Sequence, residues 1–211
     1  MIGKIAICLL LGYAFGCFST GYFVGKLHHI DIRQYGSGNA GTTNALRTLG
    51  KKAGAMTFFG DVLKCIIPIL FIRHILFAGV EYLPLLVLYT AVGVVLGHNY
   101  PFYLHFKGGK GIAAMAAAIL MFDVRLAGIA LVLFVAIVAT TRYVSVGSLL
   151  VSALFPIWVG ITYPGDIHML CVSALFTISA FYMHRANIKR LMNGTENKIG
   201  QKVKVKTDET K

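Results

Sequence analysis

Seven apolar stretches separated by short polar segments constrain the fold more than any other feature of this sequence. They are Ile5–Gly25, Ala53–Leu76, Tyr82–Leu96, Gly111–Phe122, Leu126–Thr141, Val144–Ile161 and His168–Met183. The first two reach the roughly 20 residues that a helix needs to cross a bilayer core. Only 13% of the residues are charged, which is about half the share in a soluble domain. The pattern predicts an all-α integral membrane protein: a compact seven-helix transmembrane bundle that forms a single domain over residues 1–198.

The fourth stretch, Gly111–Phe122, is the shortest. A helix of twelve residues extends only about 18 Å. We therefore expect this segment to cross where the membrane is thin, to continue as extended chain, or to be shielded by neighbouring helices. Five crossings are the alternative to seven, if this stretch and one neighbour do not span.

Lysine and arginine residues predict the orientation, because cytoplasmic segments of membrane proteins are enriched in them. With the N-terminus outside, inward segments carry sixteen of the twenty, whereas Lys4, Arg73 and Arg125 lie outward. We expect the N-terminus out and the C-terminus in, with residues 199–211 as a disordered basic tail near anionic headgroups. The net charge of +12 could also suggest nucleic-acid binding, but so apolar a chain lacks the hydrated basic face that this requires.

The first inward segment contains GSGNAG at residues 36–41. Polar donors accompany the glycines: Ser37, Asn39, Thr42, Thr43, Asn44 and Arg47. A dinucleotide-binding motif would follow a strand and precede an acidic residue about 20 positions on; Asp61 has that spacing but lies in an apolar stretch. Glycines also let successive N–H groups bind an anion, and arginine suits phosphate. We favour a phosphate-binding loop over a dinucleotide site or a flexible turn.

The second inward segment ends in KGGKG, Lys107–Gly111. It is not a P-loop, because Gly111 stands where Ser or Thr must follow the lysine. Two lysines around glycines at a helix start nevertheless favour a second anion site. The alternative is a positively charged anchor with a glycine turn. His98 is the first residue of this segment, and we expect its side chain to cap the segment or to hydrogen-bond with it.

Two further groups of polar residues lie in or beside the spans. Asp61 and Lys64 share a helix face, and charges within a span indicate function by default; we favour a neutralised pair that braces the loops above. Ser145 and Ser148 lie at a mouth between spans and could donate to a ligand, although small polar residues also mediate helix packing.

The segment after the last span presents His184, Asn187 and Glu196, as a site or as part of an amphipathic interfacial helix. The chain has no H-x-x-x-x-D arrangement, no G-x-S-x-G elbow and no metal-ligand grouping. Its four cysteines have no disulfide or zinc spacing. Any reaction must therefore depend on positioning and charge stabilisation of an already activated substrate.

Three segments, GSGNAGTTNALRTLGKKAG, GHNYPFYLHFKGGKGIA and HRANIKRLMNGTENK, resemble in order and spacing the acyl-phosphate:glycerol-3-phosphate acyltransferase family of bacterial membranes. The similarity extends from about Gly12 to Lys198. The resemblance implies acyl transfer from acyl phosphate to the first hydroxyl of glycerol 3-phosphate, yielding lysophosphatidic acid and phosphate. It also implies a seven-crossing protein of the cytoplasmic membrane with its site on the cytoplasmic side. No metal, cofactor, acyl-CoA or obligate protein partner is expected.

The resemblance also implies roles for individual residues. The acyl-phosphate group would be cradled by Ser37, Gly38, Asn39, Gly41 and Thr42, and we add Asn44 to the binding set. The phosphate of glycerol 3-phosphate would be held by Arg47, Lys110 and one of Ser145 and Ser148, in a segment that includes Lys107, Gly108 and Gly109. The catalytic set is His184, Asn187 and Glu196. Asn187 would orient the hydroxyl and a donor phosphate oxygen would accept its proton, with His184 as the competing base.

Three positions depart from the family pattern: Ser19 replaces a proline, Cys65 a glycine and Ala114 a threonine.

Two other classes of protein compete with the enzyme. A small anion transporter would use Asp61 and Lys64 at the midplane, and it predicts inverted repeats that the sequence does not show. A structural membrane subunit would not explain inward segments so rich in phosphate-binding chemistry.

Overall fold

The structure, a computed structural model, describes residues 1–201, so most of the predicted tail lies outside the described residues. The described residues contain no strands, which confirms the all-α prediction. The helices are α1 (Ile2–Cys17), α2 (Thr20–Leu27), α3 (Thr42–Leu49), α4 (Lys51–Phe71), α5 (Leu83–Asn99), α6 (Ile112–Phe122), α7 (Val124–Thr141), α8 (Val144–Thr162), α9 (Ile167–Met183) and α10 (Arg185–Met192). A π-helical turn, Ile72–Leu76, extends α4.

Five helical segments are long and apolar enough to cross a membrane: Ile2–Leu27, Lys51–Leu76, Leu83–Leu104, Val124–Thr141 and Val144–Thr162. Helices α9 and α10 together form a sixth candidate, bent by 57°. The eleven residues of α6 extend only about 16 Å, and its Ala114, Ala118 and Ile119 are buried against neighbouring helices. Shielding by neighbours thus accommodates the short segment. The number of crossings stays a prediction.

Helices α1 and α5 pack with their backbones in contact. A Cβ atom added at Gly12 would fall against the Thr90 carbonyl, and one added at Gly93 would fall against the Leu9 carbonyl. Small residues commonly allow such close approach between membrane helices. This packing places the end of α5 and the second inward segment, residues 98–111 (the second polar segment below), directly beside the start of α2. The first inward segment is called the first polar segment below.

The first apolar stretch is interrupted rather than forming one helix. Helix α1 ends at Cys17 and α2 begins at Thr20. The Tyr103 hydroxyl bridges the break: it donates to the Cys17 carbonyl at 2.9 Å and accepts from the Ser19 N–H at 3.2 Å. The Phe18 carbonyl, freed from the helix ladder, accepts a hydrogen bond from Lys64 at 2.8 Å.

Candidate active site

The glycine-rich loop is shaped by one buried amide, that of Asn44 on α3. Its Nδ2 donates to the carbonyls of Ile32, Tyr35 and Asn39 at 2.8, 3.1 and 2.9 Å. Its Oδ1 accepts from the Ser37 N–H at 2.9 Å. We expected Asn44 to offer donors to substrate, but its hydrogen-bonding capacity is used within the loop. Its role in the structure is therefore to hold the loop in shape.

The loop leads into the N-terminus of α3, where the helix dipole favours an anion. Gly36 and Gly38 have φ values of 60° and 70°, a conformation that glycine adopts without strain. Gly41 donates its N–H to Asn39 Oδ1 at 2.9 Å. The Thr42 hydroxyl is shielded from solvent and has no hydrogen-bond partner among residues 1–201. A buried polar atom without a partner is costly, so this hydroxyl is a candidate contact for a ligand.

The second polar segment contributes one side chain to the site. Gly108 donates its N–H to the Asn99 carbonyl at 3.1 Å, and Gly109 donates to the His98 carbonyl at 3.0 Å. These two N–H groups, which we expected to face an anion, are therefore engaged with the protein's own backbone. The Lys107 side chain is exposed. Only Lys110 reaches the residues that follow α9.

A hydrogen-bonded network centres on the Glu196 carboxylate. Its Oε1 accepts from Ser145 Oγ at 3.0 Å and from Asn187 Nδ2 at 2.6 Å. Its Oε2 accepts from Arg190 Nε at 2.7 Å. Asn187 Oδ1 in turn accepts from Lys110 Nζ. We call these five residues, together with Arg47, the polar cluster.

Arg47 joins the polar cluster from α3. Its guanidinium donates to the Asn197 carbonyl at 3.2 Å, and its Nε is shielded without a hydrogen-bond partner among the described residues. Three cations thus surround one carboxylate, which leaves two positive charges in excess. A phosphate monoester carries about −1.5 to −2 at neutral pH. The excess positive charge of the polar cluster would therefore balance the negative charge of a phosphate monoester.

The same surroundings set the protonation of the polar cluster. Burial lowers the pKa of Lys110 to about 8; the positive charges of Arg190 and Arg47 act in the same direction and Glu196 opposes them. For Glu196, burial acts to raise the pKa, but hydrogen bonds from Asn187, Arg190 and Ser145 outweigh it and lower the pKa. Glu196 is therefore an anion at neutral pH, and Lys110 is mostly a cation.

His184 and Ser148 lie near the polar cluster without joining its hydrogen-bond network. His184 Nδ1 is 2.7 Å from the Ala180 carbonyl, which can only accept, so Nδ1 carries the proton and Nε2 the lone pair of the neutral ring. Burial lowers the pKa of His184 to about 4, and the charge of Lys110 acts the same way. Ser148 donates to the Val144 carbonyl of its own helix at 2.9 Å. Of the two serines, Ser145 is the one that contacts the network.

Two arginines were missing from the predicted site. Arg190 lies three positions after Asn187, a spacing that places two side chains on one helix face; this signal could have revealed it. Arg33 donates to the carbonyls of Leu104 and Lys107, both at 3.3 Å, and so ties the first polar segment to the second. No local pattern signals a contact of that kind.

Comparisons with known proteins relate nearly the whole chain to one family. Residues 6–194 match the family described as glycerol-3-phosphate acyltransferase. The chain is 46% identical to a glycerol-3-phosphate acyltransferase of Clostridioides difficile (strain 630), over 93% of this chain and 96% of the relative. It is 39% identical to one of Bacillus subtilis (strain 168), over 92% and 97%.

The fold is similar to crystal structures of PlsY (YgiH), an integral membrane glycerol 3-phosphate acyltransferase. The glycerol 3-phosphate form superposes with a TM-score of 0.83 at 30% identity, covering 93% of this chain and 96% of that chain. The lysophosphatidic acid form superposes with a TM-score of 0.80, with the same identity and coverage.

Proposed function

Since the chain belongs to the glycerol-3-phosphate acyltransferase family, we propose that it transfers a fatty acyl group from acyl phosphate to the 1-hydroxyl of sn-glycerol 3-phosphate. The products are lysophosphatidic acid and inorganic phosphate. The protein is an integral membrane acyltransferase of phospholipid biosynthesis; the donor, the product and the residue roles are the proposed part. No protein partner is required by this scheme.

The observation that carries the proposal is the convergence of four distant segments on the polar cluster. Arg47 comes from α3, Lys110 from the residues just before α6, and Ser145 from the start of α8; Asn187, Arg190 and Glu196 come from the residues that follow α9. Two excess positive charges at one end of an apolar bundle suit a substrate with a phosphate head. We assign the phosphate of glycerol 3-phosphate to Lys110, Arg47 and Ser145.

The glycine-rich loop is assigned to the donor. The Thr42 hydroxyl and the N-terminus of α3 would contact the acyl-phosphate group, with Ser37, Gly38, Asn39 and Gly41 forming the rest of the cradle. Acyl phosphate is a mixed anhydride, so no protein nucleophile is needed. The hydroxyl of glycerol 3-phosphate attacks the acyl carbon, the new ester C–O bond forms, and the acyl C–O bond to phosphate breaks.

The hydroxyl must lose its proton during attack, and the leaving phosphate can accept it. Asn187 lies between Lys110 and Glu196, where its amide would orient the hydroxyl. A histidine whose pKa is lowered to about 4 is a weak base at neutral pH, because efficient general bases have pKa values near the working pH. This supports the donor phosphate oxygen as the acceptor; His184 Nε2 is the alternative.

The proposal includes a topology: seven crossings in the bacterial cytoplasmic membrane, N-terminus out, C-terminus in, and the site facing the cytoplasm among membrane lipids. The segments of the polar cluster meet at one end of the bundle, and those segments hold most of the basic residues. That asymmetry is typical of a cytoplasmic face.

The donor is tested with purified protein in detergent or lipid. Glycerol 3-phosphate is supplied with either palmitoyl phosphate or palmitoyl-CoA, and lysolipid and free phosphate are followed together. We expect one phosphate released for each lysolipid formed from palmitoyl phosphate, and no product from palmitoyl-CoA. Product from the coenzyme A ester alone would refute the proposed donor.

A further inference from the structure

A buried ionic group inside the bundle has no place in the scheme above. Lys64 on α4 pairs with Asp61 Oδ1 at 2.9 Å, and both side chains are almost completely shielded. Lys64 Nζ also donates to the Phe18 carbonyl at the α1–α2 break, at 2.8 Å, and lies 2.7 Å from His98 Nδ1. An ammonium group has three N–H donors. Two of them reach the Phe18 carbonyl and His98, and the ion pair with Asp61 holds the ammonium on α4, so that it joins three separate helical segments.

The ammonium group determines the orientation of the His98 ring. It can only donate, so Nδ1 must present its lone pair and the neutral ring carries its proton on Nε2. Asp61 Oδ1 lies 3.6 Å from the same Nδ1. The opposite edge of the ring faces the second polar segment: a Cβ atom added at Gly109 would fall directly against Nε2.

His98 also supports the backbone that immediately precedes Lys110. Its carbonyl accepts from the Gly109 N–H at 3.0 Å. A Cβ atom at Gly108 would fall against that same carbonyl. The path of the chain into Lys110 is therefore defined by a side chain and a carbonyl of one residue, which is itself held by Lys64.

We propose that His98, anchored by the Lys64 ammonium that pairs with Asp61, is a positioning residue that fixes the Gly108–Gly109 backbone and so directs Lys110 to Asn187 in the polar cluster. The inference rests on the proposed function, because the position of Lys110 matters for turnover only if Lys110 binds substrate. It extends the predicted bracing role of the Asp61–Lys64 pair to a specific atom of the site.

The test compares His98→Leu with His98→Asn in purified protein, with kinetic constants normalised to the folded fraction. Asn Oδ1 lies two bonds beyond Cβ, as His Nδ1 does, so the Asn variant keeps an acceptor for Lys64 and the Leu variant does not. For His98→Leu we expect kcat/KM for glycerol 3-phosphate to fall about 10²-fold, the loss typical of a displacement of about 1 Å. His98→Asn should recover most of that loss.

The pH profile separates positioning from simple stability. Lys110 is faced by Arg190, Arg47 and Glu196 and lies near His184. If it withdraws from these groups and from burial, its pKa rises from about 8 toward the ordinary value of lysine. The alkaline fall in kcat/KM should therefore move to higher pH in His98→Leu and stay in place in His98→Asn. A variant that is merely less stable would show the unshifted profile.

Gly109→Ala provides a second variant if His98→Leu does not fold. Its methyl group would press on the edge of the His98 ring while Lys64 and Asp61 stay intact, and a similar fall in kcat/KM for glycerol 3-phosphate is expected. Adding His98→Asn, which removes that edge, should restore activity. Wild-type kcat/KM and a wild-type pH profile in both His98→Leu and Gly109→Ala would overturn the positioning role. Full activity of Lys110→Gln would instead contradict the proposed function.

Discussion

Replacement of Lys110 by Met is expected to lower kcat/KM for glycerol 3-phosphate about 10²- to 10³-fold, because truncating a buried charged partner costs about 2–5 kcal/mol. The variant removes one of three cations and the donor to Asn187, whereas the unbranched side chain is kept except for its terminal amino group. Steady-state kinetics at neutral pH, with the donor saturating, measure the effect.

The pH dependence follows from the same side chain. Burial and the neighbouring arginines lower the pKa of Lys110 to about 8, so the cation is present below that pH and is lost above it. We expect kcat/KM to fall as the pH rises through about 8. The fall in kcat should lie at higher pH, since bound phosphate favours the charged lysine.

Lys110→Arg is the matched control for both effects. The guanidinium keeps its proton at any pH used, so whatever activity this variant retains should show no downturn near pH 8. A downturn that persists unchanged in Lys110→Arg would assign the titration to another group. Wild-type kinetics in Lys110→Met would remove Lys110 from the site.

Replacement of Glu196 by Ala is expected to lower kcat about 10²-fold, the cost of misplacing a catalytic group, without raising KM for glycerol 3-phosphate. Asn187 and Ser145 lose the oxygen that holds them, so orientation of the hydroxyl suffers. The polar cluster also gains net positive charge, which favours phosphate binding. In Glu196→Ala, kcat should therefore fall while KM for glycerol 3-phosphate does not rise.

Glu196→Gln distinguishes anchoring from charge. Its Oε1 can still accept from Asn187 and Ser145, whereas its amide replaces the oxygen that pairs with Arg190 at 2.7 Å. If anchoring is the main role, the Gln variant should retain most of kcat. An equal loss in Gln and Ala variants would show that the negative charge, and not the acceptor oxygen, is what the reaction needs.

The helices were predictable because long apolar runs leave few alternatives in a bilayer, where backbone groups must be satisfied internally. The break after Cys17 was not predictable. No proline stands there in this chain, and the flanking Gly16 and Gly21 lie within α1 and α2. The break depends on Tyr103, which is 84 residues from Ser19. A tertiary hydrogen bond replaces the missing ladder at that point.

The site was predictable by residue type and less so by role. Lys110, Asn187 and Glu196 were expected, but the contact between Lys110 and Asn187 joins residues 77 positions apart. For Gly108 and Gly109, a glycine pair before a helix is equally suited to bind an anion or to pack on its own chain. In this chain the Gly109 N–H donates to the His98 carbonyl, so the pair packs on its own chain. The position of that carbonyl follows from the packing of α5, which no local motif encodes.

In the proposed scheme the polar cluster binds the phosphate of glycerol 3-phosphate. An experimental structure with that substrate bound tests it most directly. We predict phosphate oxygens within hydrogen-bonding distance of Lys110 Nζ and the Arg47 guanidinium, with the 1-hydroxyl beside Asn187. A phosphate bound elsewhere, with Lys110 still on Asn187 and Arg47 still on the Asn197 carbonyl, would contradict the account.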